Sequence, residues 1–154
     1  NMQIEAGAQA IQIFDTWGGL LAPHDYERYI LPYVKELING LNRDGIPVIY
    51  FVKNGGTMLE LVKEAGADVL GLDWHVNLGK ARDIIGPDIA VQGNLDPTVL
   101  YAPKDHIERE VQRILDENAG RPGFIFNLGH GILPTVPPEN AIHMVECVHR
   151  LSGK

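Results

Sequence analysis

At 154 residues, with 45% hydrophobic and 21% charged residues, the chain fits one domain with one core and needs no disulfide or metal staple. A formal charge of −7 and the absence of any Lys/Arg cluster speak against a nucleic-acid surface, and no apolar run approaches the ~20 residues of a membrane helix. The single cysteine, Cys147, excludes an internal disulfide and fits a reducing cytoplasm.

The opening "NMQIEAG" lacks a helix start. Gln3 to Ala6 read as the last turn of a helix closed by Gly7, which suggests a segment of a longer protein. Five apolar runs of strand length follow: Ala10–Phe14, Val48–Val52, Val69–Leu72, Ile89–Gln92 and Phe124–Leu128. They lack clean alternation, as strands covered on both faces do. A helical pattern follows each. After the first, Tyr26, Tyr29 and Ile30 lead to Pro32, which should break the stripe and open a second helix carrying Val34, Leu37, Ile38 and Leu41. After the second, Thr57 is the expected cap of a helix turning Leu61, Val62 and Ala65 inward. After the third, Asn77 caps a short helix with Leu78, Ala81 and Ile85, stopped at Gly86–Pro87. After the fourth, Asp96 and Pro97 should open a long helix carrying Ile107, Val111, Ile114 and Leu115, with Gly120 past its end. After the fifth, "PPENAIHMVECVHRL" offers Ile142, Val145, Val148 and Leu151 as the inward stripe.

Alternating strands and helices with short joints imply a parallel sheet. "EAGAQAIQIF" and "EAGADVLGLD" even repeat one helix-to-strand joint. The fold class is therefore α/β, and five units are too few to close an eight-stranded barrel by themselves.

Parallel α/β folds hold their chemistry at the carboxyl ends of the strands. There the chain places Asp15-Thr16-Trp17-Gly18-Gly19, Lys53-Asn54-Gly55-Gly56, Asp73-Trp74-His75, Gly93-Asn94 and Gly129-His130-Gly131. Polar groups and glycines crowd the same end of all five units, which implies a pocket. "KNGG" could cradle a phosphate, but a plain βα turn is the better reading. Asp73-Trp74-His75 fits either acid–base apparatus or a structural plug, with structure preferred. His143 and Cys147 stand four apart on the last helix as a metal pair would, without a third donor beside them, so no metal is assigned. No G-x-S-x-G exists, and the only serine is Ser152. His130, between two glycines, and Thr16 are the best placed to touch a ligand. The bare backbone around His130 could adopt positive φ and admit something bulky.

"IFDTWGGLL" with "LPY", then "VQGNLDP", then "FNLGHGILP" followed by "PPEN", resemble in that order the C-terminal half of uroporphyrinogen decarboxylases. The likeness covers essentially the whole chain. It implies the last five βα units of a (β/α)8 TIM barrel, one partial domain over residues 1–154, with three earlier units elsewhere. It further implies a cytoplasmic homodimer that acts without metal or organic cofactor, removing four acetate carboxyls from uroporphyrinogen to give coproporphyrinogen. The proton-donating acid, the carboxylate-gripping arginines and a binding tyrosine would lie outside these residues. This segment would supply the Thr16 hydroxyl, where many relatives have serine, the His130 imidazole, and less firmly Phe14 against the macrocycle. The charge agrees: the seven arginines fall in predicted helices or joints, Lys53 alone is a well-placed cation, and this segment by itself should be inactive.

Two other readings compete. Zinc-dependent, corrinoid-linked methyltransferases share the fold but need a thiolate and histidine at the strand ends, and "VIYFVKNGG" has neither. A non-enzymatic half-barrel that pairs with another chain would follow from unpaired strand edges.

Overall fold

The computed structural model describes residues 1–153. Five parallel strands form one sheet in sequential order: β1 (Ile11–Asp15), β2 (Val48–Val52), β3 (Val69–Gly71), β4 (Ala90–Leu95) and β5 (Phe124–Leu128). Register ties Phe14 to Phe51, Phe51 to Gly71, Gly71 to Gln92 and Gln92 to Ile125. The helices are α1 (Met2–Glu5), α2 (Pro23–Tyr29), α3 (Leu31–Asn39), α4 (Leu59–Val62), α5 (Leu78–Ile85), α6 (Lys104–Asn118) and α7 (Pro138–Leu151).

Local chemistry accounts for most boundaries. α1 ends at Gly7, whose φ of +100° is the left-handed geometry expected past a helix end. Pro32 sits in the first turn of α3 and separates it from α2. Asn77 accepts the Lys80 amide at 3.0 Å and caps α5, and Gly86 stops it.

One expected cap fails and another opens a different segment. Thr57 lies inside a 3-10 turn, Gly55–Met58, opened by left-handed Asn54; the hydroxyl caps nothing because the chain is already wound there. Asp96 does cap, taking the Thr98 amide at 2.8 Å, but the segment it opens is a separate 3-10 turn, Pro97–Tyr101. α6 starts afresh behind Pro103 without a side-chain cap.

The core lies between one face of the sheet and the helices. Val48, Tyr50, Val52, Leu70, Leu72, Val91 and Leu95 pack there with Ile38, Val62, Leu78, Ala81, Ile85 and Ile114. A second cluster joins Leu100, Ile107, Val111, Val136 and Cys147 under α7. Burying each such aliphatic side chain stabilises by about 1.5–3 kcal/mol. The stripe expected on α7 is only half right. Ile142 and Val145 are exposed, while Cys147 turns inward and Val148 and Leu151 pack beside it, because α7 turns that face toward α6, the 3-10 turn Pro97–Tyr101 and β5.

The opposite sheet face, bearing Gln12, Phe14, Phe51, Gln92, Ile125 and Asn127, is concave. In a flat sheet β1 and β4 would stand ~14 Å apart, three strand spacings. Yet the Gln92 side-chain amide reaches the Gln12 carbonyl at 3.5 Å. The sheet is therefore curled like a barrel wall. Its concave face is partly open at β1 and β5, where Phe14 is 68% and Ile125 45% exposed, so the strands alternate more than their sequence suggests.

Candidate functional site

All five strand ends meet at one rim, because every strand is parallel. There the curled wall brings rings from distant strands together. Phe14 of β1 packs edge-on to Phe51 of β2 at 6.1 Å, and Phe51 packs edge-on to His130, just past β5, at 6.2 Å. His130 in turn meets the Trp74 indole edge-on at 6.4 Å. Two of the three residues singled out for ligand contact, Phe14 and His130, thus share one aromatic ladder through Phe51. Sequence reading missed Phe51. The signal was an aromatic in β2 at the position that pairs with Phe14.

The third, Thr16, is exposed in the loop after β1. Asp15 shapes that loop: one carboxylate oxygen accepts the Gly18 amide at 2.6 Å and the Trp17 amide at 3.3 Å. The other accepts the Tyr50 hydroxyl at 3.1 Å, and Tyr50 is bonded to Tyr26 at 2.9 Å. A β-carbon at Gly18 would run into the Asp15 carboxylate, so any other residue there would displace the group that closes the loop. Both phenols are buried, and burial pushes their pKa above the ordinary value of 10.0. They are neutral donors at physiological pH.

Asp73 does for β3 what Asp15 does for β1. Its side chain is 2% exposed. One oxygen accepts the Asn54 amide from the loop after β2, and the other accepts the His75 amide at 2.9 Å. From β4, the Asn94 side-chain amide donates to the Asp73 carbonyl at 3.0 Å and to the Val76 carbonyl at 2.8 Å. Three strand ends are laced together at this one residue. The structural reading of "DWH" is correct for Asp73, and "KNGG" is a βα turn: a side chain on Gly56 would collide with Val76.

Gly129, before His130, serves a different purpose from the one expected, and neither flanking glycine takes the positive φ their bareness would allow. A β-carbon on Gly129 would lie 2.7 Å from the Trp74 amide nitrogen and 3.0 Å from the Asp73 carbonyl carbon. Its bareness lets β5 seat against the turn after β3; what approaches Gly129 is this chain's own backbone. Gly131 has open space around it.

Arginine partners lie elsewhere. Arg43 pairs with Asp68, Arg82 with the Pro122 and Gly123 carbonyls, Arg121 with Asp83, Arg109 and Arg113 with acids on α6, Arg150 with Glu108, and Arg28 stacks on Tyr29. All sit on helices or at strand starts. His143 and Cys147 do acquire a third donor, contrary to the sequence reading: Glu108 of α6 brings the three donor atoms within 4.8 Å of one another. The Arg150 guanidinium already bridges that group, 3.0 Å from Glu108 and 3.6 Å from the Cys147 sulfur. The cluster lies between α6 and α7 in the helical layer, so the single cysteine is not among the residues at the strand ends. No described helix is long and apolar enough to cross a membrane.

A family model described as "Uroporphyrinogen decarboxylase (URO-D)" matches residues 1–151. A uroporphyrinogen decarboxylase of Geobacter metallireducens is 79% identical over 154 residues, all of this chain and 45% of that protein. One of Pelobacter propionicus is 70% identical over 152 residues, again 45% of its length. The chain therefore spans a little under half the length of these relatives. Among solved structures, a methyltransferase from Methanosarcina mazei superposes with a TM-score of 0.85 at 23% identity, over 97% of this chain and 44% of that one. At that identity the match speaks for the fold alone.

Proposed function

This chain belongs to the uroporphyrinogen decarboxylase family, and from that premise we propose that it forms five βα units of a (β/α)8 barrel that converts uroporphyrinogen to coproporphyrinogen. In each of four steps a ring –CH2–CO2⁻ loses CO2 and gains a proton to become –CH3. A protonated pyrrole accepts the electron pair as the C–C bond breaks, so the protein's task is to position the ring and stabilise charge. No metal or organic cofactor is needed for that chemistry.

The observation that carries the reading is the ladder Phe14–Phe51–His130 on the concave face. It offers an apolar wall for a macrocycle with an imidazole at its end. His130 and the Thr16 hydroxyl hydrogen-bond substrate carboxylates, and Phe14 packs on the macrocycle's face. The carboxylate-gripping cations and the proton donor come from the other units of the barrel, since the arginines here are engaged elsewhere. The whole protein is a cytoplasmic homodimer without a nucleic-acid surface, and residues 1–154 are one partial domain of it.

The test is a graft. This chain replaces the matching segment of the Geobacter metallireducens relative, and turnover is followed as coproporphyrinogen formed. The graft is expected to decarboxylate, with His130→Ala and Thr16→Ala each weakening substrate binding, while the chain alone shows negligible turnover. A folded graft without activity would overturn the assignment, and turnover by the chain alone would overturn the claim that the other units supply the cations and the proton donor.

A further inference from the structure

We propose that His75 is a further substrate-binding residue, offering its Nε2 to a carboxylate of the tetrapyrrole beside His130; the inference rests on the functional reading above. Its Nδ1 faces inward, 3.3 Å from an Asp73 oxygen. That carboxylate is buried and already accepts two backbone amides, so its satisfaction does not require the imidazole. What the contact does is fix the ring. With Nδ1 committed to Asp73, Nε2 is the nitrogen left for a ligand, and the side chain is 53% exposed.

Trp74 fixes the same ring from its face. The indole and the His75 imidazole are 4.6 Å apart with planes tilted by 31°, a stacked arrangement that also suits an imidazolium. Trp74 meets His130 edge-on, so one indole orders both imidazoles at one rim. Gly129 makes this possible by admitting the Asp73–Trp74 backbone against the end of β5. When the ring carries both protons, Nδ1–H faces the Asp73 oxygen at 3.3 Å and Nε2–H is free to donate to a substrate carboxylate, a charge-assisted bond. The substrate carries eight carboxylates, and the arginines of this chain are partnered away from the rim. A basic group held in place there has an evident ligand. A surface histidine merely satisfying a buried acid would not need the stack as well.

In the graft described above, His75→Gln removes the imidazole and keeps a hydrogen-bonding side chain, while His75→Arg supplies a permanent cation. Fluorescence titration with uroporphyrin, the oxidised and unreactive octacarboxylate, reads binding directly. His75→Gln is expected to raise Kd by about three- to tenfold, the worth of one exposed hydrogen bond to a charged group. KM should rise more than kcat falls, and His75→Arg should recover most of the loss. A Kd for His75→Gln equal to the parent's would overturn the proposal, and so would a lowered melting temperature with unchanged Kd, which assigns His75 to the fold. Thr16→Ala and His130→Ala separate the two levels. If they weaken uroporphyrin binding and His75→Gln does not, only this inference falls. If none of the three does, the site reading falls with it.

Discussion

The two ends of the one sheet hold their loops with a different balance of charges. At the strand starts, cations share that task with Asp68, which accepts the Val48 amide at 2.8 Å and pairs with Arg43. Buried Arg82 donates to the Pro122 and Gly123 carbonyls at 2.6 and 3.0 Å, and Arg121 donates to the Asn118 carbonyl and to Asp83. At the strand ends, carboxylates do that work: Asp15 and Asp73 collect backbone amides from four loop residues. The difference teaches where each rim's spare chemistry lies. Cations consumed on carbonyls leave the starts inert. Acids consumed on amides leave the ends with exposed imidazoles, a hydroxyl and an aromatic wall, the groups on which the proposed binding of an anionic macrocycle rests.

The sharpest way to break this contrast is Gly129→Val. The new β-carbon would meet backbone atoms at 2.7–3.1 Å, which cannot swing aside as a side chain could. A loss of about 3 kcal/mol or more is expected, the scale of severe overpacking, together with loss of porphyrin binding. Urea denaturation of the grafted full-length protein measures it; a cost under about 1 kcal/mol would mean the rim is looser than described.

Arg82→Ala probes the other rim. It removes the side-chain donor of the Pro122 carbonyl and one of two donors to the Gly123 carbonyl, which keeps the Val91 amide at 2.9 Å, and should cost about 1 kcal/mol while leaving uroporphyrin affinity at the parent value. An affinity change of the same size as Gly129→Val would erase the functional distinction between the ends.

The smallest expected effect concerns pH. Burial raises the pKa of Tyr26 and Tyr50 in the folded state above the unfolded value of 10.0, so the folded form holds these protons more tightly. Their contribution to stability is complete below pH 10 and is lost as pH rises past it. Melting temperature should therefore be insensitive to these phenols near neutrality and fall in alkali. Tyr50→Phe should flatten that alkaline fall, though it removes the hydroxyl that donates to Asp15 and lowers the neutral-pH melt slightly. An unchanged alkaline slope would place the phenols outside the coupled network.

Much of this was legible residue by residue. β2 and β5 fall where their apolar runs do, Pro32 splits the helix pair, and Asn77 caps α5, because each depends on neighbours in sequence. Thr16, Phe14 and His130 stood out through their motifs. What failed was anything needing a view across the sheet. Thr57 is a good cap residue in a place already wound as a 3-10 turn. Ile142 and Val145 have helical spacing but face no partner. Gly129 looked like an opening for a ligand and proved to be a seat for Trp74. Phe51, Glu108 and the coupling of Asp73 to His75 bring together residues from separate loops or helices, or gain meaning only from such neighbours.

By itself the sequence determined an α/β chain of five strand–helix units with polar ends on one side, since apolar spacing and turn residues act over a few positions. Only the tertiary structure decided which groups those ends spend on holding loops together and which they leave free. Curling the sheet brings β1, β2 and β5 within ring contact, and that curvature is a property of all five strands at once.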